Sequence, residues 1–302
     1  MQIRSISEMH QLLAIEKPAH PLISVVRHTK EMNLSFGKDL RINNHLYFIS
    51  LKENIQGAFQ YGRNSYDFQE GSLVFMRPKQ ITSNSGNTEP DLGGWSIFFH
   101  PDLIRVSSLS NSILQYSFFD YDSNEALHIS EKEKNALTAI IQKIEIEINQ
   151  NIDEHTQEII IHNIESLLKY SQRYFDRQFL TRKNLSKDFV IKFEKYLLTY
   201  FESNLPSEKG IPSVQECGEN LGMSGKYLSD LLKKETGRSI TEHIHLHIVE
   251  KAKNELLNSN NPISQIAYSL GFEYPQHFSK IFKSNAGVTP KQFRSLKLHR
   301  IY

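Results

Sequence analysis

Cysteine is almost absent from this chain of 302 residues, whose single cysteine, Cys217, excludes an internal disulfide bond. We expect Cys217 to be buried as a small apolar side chain, because it lies on the core side of a predicted helix. No apolar run approaches the ~18 residues needed to cross a membrane. The first ten residues also lack the apolar core of a secretion signal. These absences predict a cytoplasmic protein without membrane contact.

A large excess of either charge is also missing, since 35 Lys and Arg face 34 Asp and Glu and the net charge is +1. The charges are distributed unevenly, however. Residues 220–302 contain 12 Lys and Arg against 6 Asp and Glu, whereas the preceding 219 residues contain 23 against 28. A basic C-terminal part predicts that this part alone meets a polyanion. The excess is modest, which favours a reader of specific sites over a protein that coats DNA.

The most informative feature that is present is a repeat near the C-terminus. Residues 214–237 and 263–287 are two copies of one pattern, and the Leu-Gly pair at 221–222 recurs 49 residues later, at 270–271. Each copy has a short helical segment, a glycine at the turn and a second amphipathic helix. A repeated unit of this kind predicts two helix-turn-helix motifs.

The second helix of each copy has an apolar face and a polar face. The apolar residues recur at helical spacing, and they are Leu228, Leu231 and Leu232 in one copy and Phe278, Ile281 and Phe282 in the other. The opposite faces are free to enter the major groove of double-stranded DNA. The predicted DNA-binding residues are Ser224, Gly225, Lys226, Ser229, Asp230, Lys233, Tyr274, Gln276, Ser279, Lys280 and Lys283.

Several segments together resemble the AraC/XylS family of transcription regulators over roughly the last hundred residues. They are residues 221–229, residues 271–283 and the sequence Gly-Val-Thr-Pro-Lys-Gln-Phe-Arg at 287–294. The resemblance implies a double helix-turn-helix domain that binds a promoter or operator, and RNA polymerase as a further partner. Family members often carry Arg where this chain has Asp230. An acidic residue there either repels phosphate or accepts a hydrogen bond from cytosine N4.

Between the two copies, residues 240–257 predict one helix of ~27 Å. A helix of this length can hold two recognition helices about one DNA turn, ~34 Å, apart. His243, His245 and His247 lie on it, and the first and last of them have the spacing of a metal-binding pair. Because the DNA-binding architecture already accounts for the helix, we predict no metal here.

The N-terminal part predicts a β-rich domain. Residues 21–99 contain short β-prone runs with turns at the spacing of an antiparallel barrel or sandwich. Residues 67–78 resemble the cupin-like N-terminal domain of AraC-type sensors. We therefore predict an α+β protein, in which an antiparallel, cupin-like β-barrel with helices precedes an all-α double helix-turn-helix domain.

A barrel of this size can bind a small-molecule effector in its mouth. The residues predicted to line such a pocket are Tyr47, Ile49, Phe59, Tyr61, Phe75 and Trp95. The alternative is that these residues pack the core of the barrel. The sequence does not decide which face of their strands points inward. Cupin enzymes usually hold a metal through a His-x-His pair, which residues 1–127 lack, so neither a metal nor a cofactor is predicted.

Beyond the strands, helical spacing begins after Ser130, which forms a predicted capping box with Glu133. Two amphipathic helices follow, and they either cover the barrel or pair with a second subunit of a homodimer. The predicted domains are a sensor barrel (1–127), a helical pair (128–178), a linker (179–187) and a DNA-binding domain (188–302).

The sequence thus favours a sequence-specific transcription regulator whose N-terminal barrel senses a small molecule or mediates dimerisation. One alternative is a cupin-type enzyme fused to a DNA-binding tail, for which the sequence offers no metal triad, nucleophile elbow or phosphate loop. Another is an architectural DNA protein without a ligand, which the modest positive charge disfavours.

Overall fold

The chain divides into two compact units, Met1–Thr181 and Arg182–Tyr302. The first unit combines strands with helices, and the second is helical throughout its described part. The computed structural model describes residues 1–29, 41–53, 71–83, 94–121, 125–181 and 183–298. Among these residues, no helix combines the length and apolar character that a membrane crossing needs.

The first unit contains short strands rich in β-branched and aromatic residues, which fit a pleated and buried surface. The described strands are β1 (Gln2–Ile3), β2 (Ile23–Arg27), β3 (Arg41–Asn44), β4 (Tyr47–Lys52), β5 (Ser72–Met76), β6 (Ile81–Ser83), β7 (Trp95–Phe99) and β8 (Leu127–His128). They form an antiparallel sheet in the order β2-β7-β4-β5-β8 and a second sheet in the order β1-β3-β6, in which β1 and β3 are parallel.

Within the described residues, no strand pairing joins these two sheets into a closed barrel. Closure requires every edge strand to be paired. The predicted β-rich character is therefore present, whereas the closed cupin-like barrel is not confirmed. The predicted strand that carries Phe59 and Tyr61 lies outside the described residues.

The first unit also contains helices, of which one lies between its first two strands and the others come after β7. Glu133 donates its backbone N–H to Ser130 Oγ, and Ser130 donates its own to Glu133 Oε2 at 2.9 Å, which confirms the predicted capping box. The helices are α1 (Ile6–Leu13), α2 (Pro101–Ile104), α3 (Leu109–Ser112), α4 (Glu131–Ile148) and α5 (Thr156–Thr181), with 3₁₀ turns at Ile113–Gln115 and Ser117–Asp120.

Strand β4 shows how both faces of the larger sheet are used. Tyr47 and Ile49 lie opposite Phe99 and Ile97 of β7 and share one face. Phe48 points to the other face, as strand alternation requires, and packs on Phe98 with ring centroids 5.0 Å apart. The face of Phe48 and Phe98 packs against α1, β1 and β3 in one apolar cluster.

The second unit consists of helices. Capping boxes at Ser213 and Ser239 begin two of them. The helices are α6 (Lys183–Glu202), α7 (Leu205–Lys209), α8 (Val214–Asn220), α9 (Gly225–Thr236), α10 (Ile240–Asn258), α11 (Ile263–Ser269), α12 (Pro275–Ala286) and α13 (Pro290–Leu298). The predicted helix at 240–257 is confirmed as α10.

The predicted linker at 179–187 has a different structure from the aperiodic segment that its polar sequence suggests. α5 continues through Phe179, which is 4% exposed, to Thr181, and α6 begins at Lys183. Polar residues such as Arg, Lys and Gln have good helix propensity, so polarity alone does not exclude a helix. The boundary between the compact units nevertheless falls inside this segment.

Candidate nucleic-acid interface

Helices α8 and α9 form one helix-turn-helix motif, and α11 and α12 form the other. In each turn a glycine has a left-handed backbone, Gly222 with φ +72° and Gly271 with φ +90°. Side chains disfavour this conformation, so glycine suits the end of the first helix of each motif. Gly222 donates its N–H to Glu219 O at 3.1 Å, and Gly271 donates to Tyr268 O at 3.0 Å. The repeat seen in the sequence is thus a repeat of structure.

The predicted apolar faces of α9 and α12 are buried except at Ile281, which is partly buried. Leu228, Leu231 and Leu232 are at most 3% exposed, and Phe278 and Phe282 are fully buried with ring centroids 5.8 Å apart. Burial of these side chains against α8, α10, α11 and α13 stabilises the two motifs. It also fixes which side of each second helix is left for a partner.

The polar faces carry the predicted DNA-binding residues toward solvent to different degrees. On α9, Lys226 and Lys233 are exposed, and Ser229 and Asp230 are partly buried. At α12, the exposed residues are Tyr274, Gln276, Lys280 and Lys283, while Ser279 is partly buried. α12 therefore presents the longer exposed polar surface, and apart from the preceding Glu273 its charges are positive.

Ser224 and Gly225 have clear structural roles. Ser224 caps α9, because its Oγ accepts a hydrogen bond from the backbone N–H of Tyr227 at 3.1 Å. A Cβ atom on Gly225 would lie 2.4 Å from the carbonyl oxygen of Val214. The crossing of α8 and α9 therefore requires glycine at this position. Any DNA contact of these two residues would be additional to these roles.

Helix α10 holds the two motifs together, and two of its three histidines lie beside aromatic residues of α6. His243 Nε2 is 2.8 Å from Thr236 Oγ1, and its ring is edge-on to Phe193 at 5.8 Å. His247 packs on Phe201 with ring centroids 5.2 Å apart. Burial lowers the pKa of both imidazoles. In the part of the chain that the structure describes, no group of three or more His, Cys, Asp or Glu could hold a metal ion.

Cys217 is fully buried in α8. Burial raises the pKa of its thiol to about 12, with a smaller contribution from the nearby charge of Glu216. The thiol therefore stays protonated at neutral pH. This agrees with the expectation that Cys217 packs as a small apolar side chain.

One exposed residue of α12, His277, was missed by the sequence analysis. Its ring pairs with that of Tyr274 at 5.6 Å. The repeat aligns His277 with Tyr227, which is buried. Its position in the first turn of the predicted helix, three residues after Tyr274, could have identified it from the sequence.

Four of the predicted pocket residues, Tyr47, Ile49, Phe75 and Trp95, lie in the core of the first unit. The Tyr47 ring stacks on Phe99 at 4.9 Å, and Trp95 donates its indole N–H to Thr138 Oγ1 of α4 at 3.2 Å. Phe59 and Tyr61 lie outside the described residues. These contacts fit the packing alternative for the four residues, and a pocket lined by the full set stays a prediction.

The chain is similar in sequence to a known domain family and to named proteins. A family model described as a helix-turn-helix domain matches residues 217–295. Multiple antibiotic resistance protein MarA of Salmonella typhimurium is 32% identical over 103 residues, which are 34% of this chain and 79% of MarA. The Msm operon regulatory protein of Streptococcus mutans is 24% identical over 262 residues, which are 86% of this chain and 87% of that protein.

Solved structures resemble the chain as well. The C-terminal domain of AraT, a response regulator from Geobacillus stearothermophilus, is 30% identical with a TM-score of 0.32. The match covers 36% of this chain and 84% of that domain. ToxT from Vibrio cholerae is 16% identical with a TM-score of 0.30. The match covers 90% of this chain and 97% of ToxT.

Proposed function

The chain belongs to the AraC/XylS family of DNA-binding transcription regulators, and we propose that it binds a specific promoter sequence with both motifs. The observation that carries this proposal is the repeated geometry, in which each motif turns a polar face away from the core. α10 connects them, and its 19 residues give a length of ~28 Å. The motifs would then reach two successive major grooves, ~34 Å apart.

We assign different roles to the exposed side chains of α12. Gln276 and Lys280 lie about one helical turn apart on the exposed face, where they would contact base edges. Gln pairs with adenine and Lys reaches guanine O6 or N7. Lys283, near the end of the helix, would contact phosphate, as would Lys233 on α9. Lys226, Ser229 and Asp230 form the corresponding surface of the first motif.

The first unit would supply control, by binding a small-molecule effector or by forming a homodimer. The α4–α5 pair exposes apolar side chains, with Ile146 60%, Ile159 42% and Tyr170 41% exposed. We propose that this surface contacts a second copy of the chain, since an exposed apolar surface often marks an interface. We also propose that the chain contacts RNA polymerase, and we assign no residues to that contact.

The test of the central proposal is selection of duplexes from a randomised pool with the purified full-length chain, followed by footprinting. We expect an enriched sequence with two contacted segments about ten base pairs apart on one face of the duplex. Recovery of unrelated sequences, bound as tightly as the starting pool, would contradict sequence-specific binding. The Msm operon regulatory protein, which is similar to this chain over 86% of its length, is a regulator by name, so a cupin-type enzyme is not favoured.

Sedimentation of the full-length chain tests the dimer proposal. Ile159→Glu and Tyr170→Glu would place charges in the proposed interface and should shift a dimer toward monomer. Lys17→Glu, an exposed charge change of the first unit outside α4 and α5, serves as the control. A monomeric wild-type chain at micromolar concentration would contradict the proposal.

A further inference from the structure

The two motifs differ at the residue that precedes the second helix. In the first motif this N-cap residue is Ser224, whose side chain accepts a hydrogen bond from Tyr227 N. In the second it is Tyr274, whose side chain makes no capping hydrogen bond. Ser, Thr, Asp and Asn are the favoured N-cap residues. The second motif thus carries a residue that is locally unfavourable, which is a common property of functional positions.

A second difference lies three residues further along. Tyr227 of the first motif is 7% exposed, whereas the residue at the same place in the second motif, His277, is exposed. The same position is therefore buried in the core of one motif and exposed at the surface of the other.

These two changes lie side by side. The rings of Tyr274 and His277 are 5.6 Å apart at an angle of 60°, and the backbone N–H of His277 donates to Tyr274 O at 3.0 Å. Pro275 begins the helix, where its missing N–H costs nothing because the first N–H groups have no partner within the helix. Tyr274 remains 52% exposed, so the residue is open to contact with a partner.

We propose that Tyr274 and His277 together bind a DNA backbone phosphate beside the groove that α12 enters, and so position the second motif. The phenol O–H and an imidazole N–H would donate the hydrogen bonds. At 3.6 residues per turn, His277 lies about 100° around the helix from Gln276, on its flank. Side chains on the flank of a recognition helix meet the sugar-phosphate chain rather than base edges. This inference rests on the proposed DNA-binding function.

The decisive variant is Tyr274→Ser, because it restores a favoured N-cap residue while it removes the phenol. We expect the thermal midpoint of the full-length chain to stay the same or to rise. The dissociation constant should nevertheless increase about tenfold, a typical loss for one hydrogen bond to a charged group. His277→Ala should weaken binding to a similar degree. Both losses should be equal for the selected duplex and for a random duplex of equal length, since phosphates carry no sequence information.

Ser207→Ala is the control, because Ser207 is exposed on α7, outside both helix-turn-helix motifs, and its replacement should leave affinity unchanged. Unchanged affinity of Tyr274→Ser and His277→Ala would overturn the inference. So would a loss confined to the selected duplex, which would assign the pair to base reading. If the wild-type chain binds neither duplex, the proposed function itself fails. Binding by the wild-type chain with no effect of either substitution rejects only the phosphate contact.

Discussion

At the scale of single residues, Gln276 lies on the exposed face of α12 in its first turn, where recognition helices meet base edges. We predict that Gln276→Ala weakens binding to the selected duplex by about 1–3 kcal/mol, the usual worth of a bidentate base contact. Binding to random duplex should change little. The measurement is a titration of both duplexes, together with single base-pair substitutions in the selected one. Equal losses on both duplexes would show that Gln276 does not read sequence.

Lys233 is exposed in the last turn of α9, a position expected to face phosphate. We predict that Lys233→Ala weakens binding to all duplexes alike and lowers the slope of log affinity against log salt by about one. Lys143→Ala, which removes the same charge from α4 of the first unit, should leave both quantities unchanged. A change in the preferred sequence would contradict the assignment.

At the scale of elements, the contact of α6 with α10 includes two partly buried histidines. Burial lowers the pKa of His243 and His247. Glu194 and Glu202 of α6 and Glu242 of α10 oppose this shift, and the positive charges of Arg238 and Lys251 reinforce it. Both rings lie against phenylalanine side chains, where a charge would be poorly solvated. Protonation of either ring therefore disfavours the packed state.

The sign of the resulting pH dependence follows from proton binding. Below about pH 6.5, the ordinary pKa of histidine, the unfolded chain binds protons that the folded unit does not. We predict that the free energy of unfolding of residues 182–302 falls between pH 7.5 and 5.5, and that it falls less in the variant His243→Asn with His247→Asn. Urea titrations followed by circular dichroism at both pH values measure this. An equal fall in both proteins would contradict it.

At the scale of the whole molecule, the unit boundary gives fragments that separate the two proposed roles. We predict that residues 182–302 bind the selected duplex, because both motifs, α10 and the excess of basic over acidic residues at 220–302 lie within this unit. Residues 1–181 should bind no duplex at the same salt concentration. The measurement is a titration of each fragment at two salt concentrations. Binding by the first fragment as tight as that of the full-length chain would refute the division of roles.

The sequence by itself determined the two motifs, their buried faces and the start of several helices. Leu228 and Leu231 of one motif, and Phe278 and Phe282 of the other, are spaced at the helical period, and Ser213 lies three residues before Glu216. Such signals act within one or two turns of the same helix, so they can be read without knowledge of distant contacts. The same holds for the turn glycines, whose backbone conformation is a local property.

Only the tertiary structure decided which side chains these elements bring against one another. The aromatic face of β4 is filled by rings such as Phe99, which lies 52 residues from Tyr47 in the sequence. His243 meets Phe193 of another helix, and Tyr227 is buried while its counterpart His277 is exposed. Each of these outcomes depends on packing between elements far apart in the chain. Local propensity and periodicity do not encode such packing.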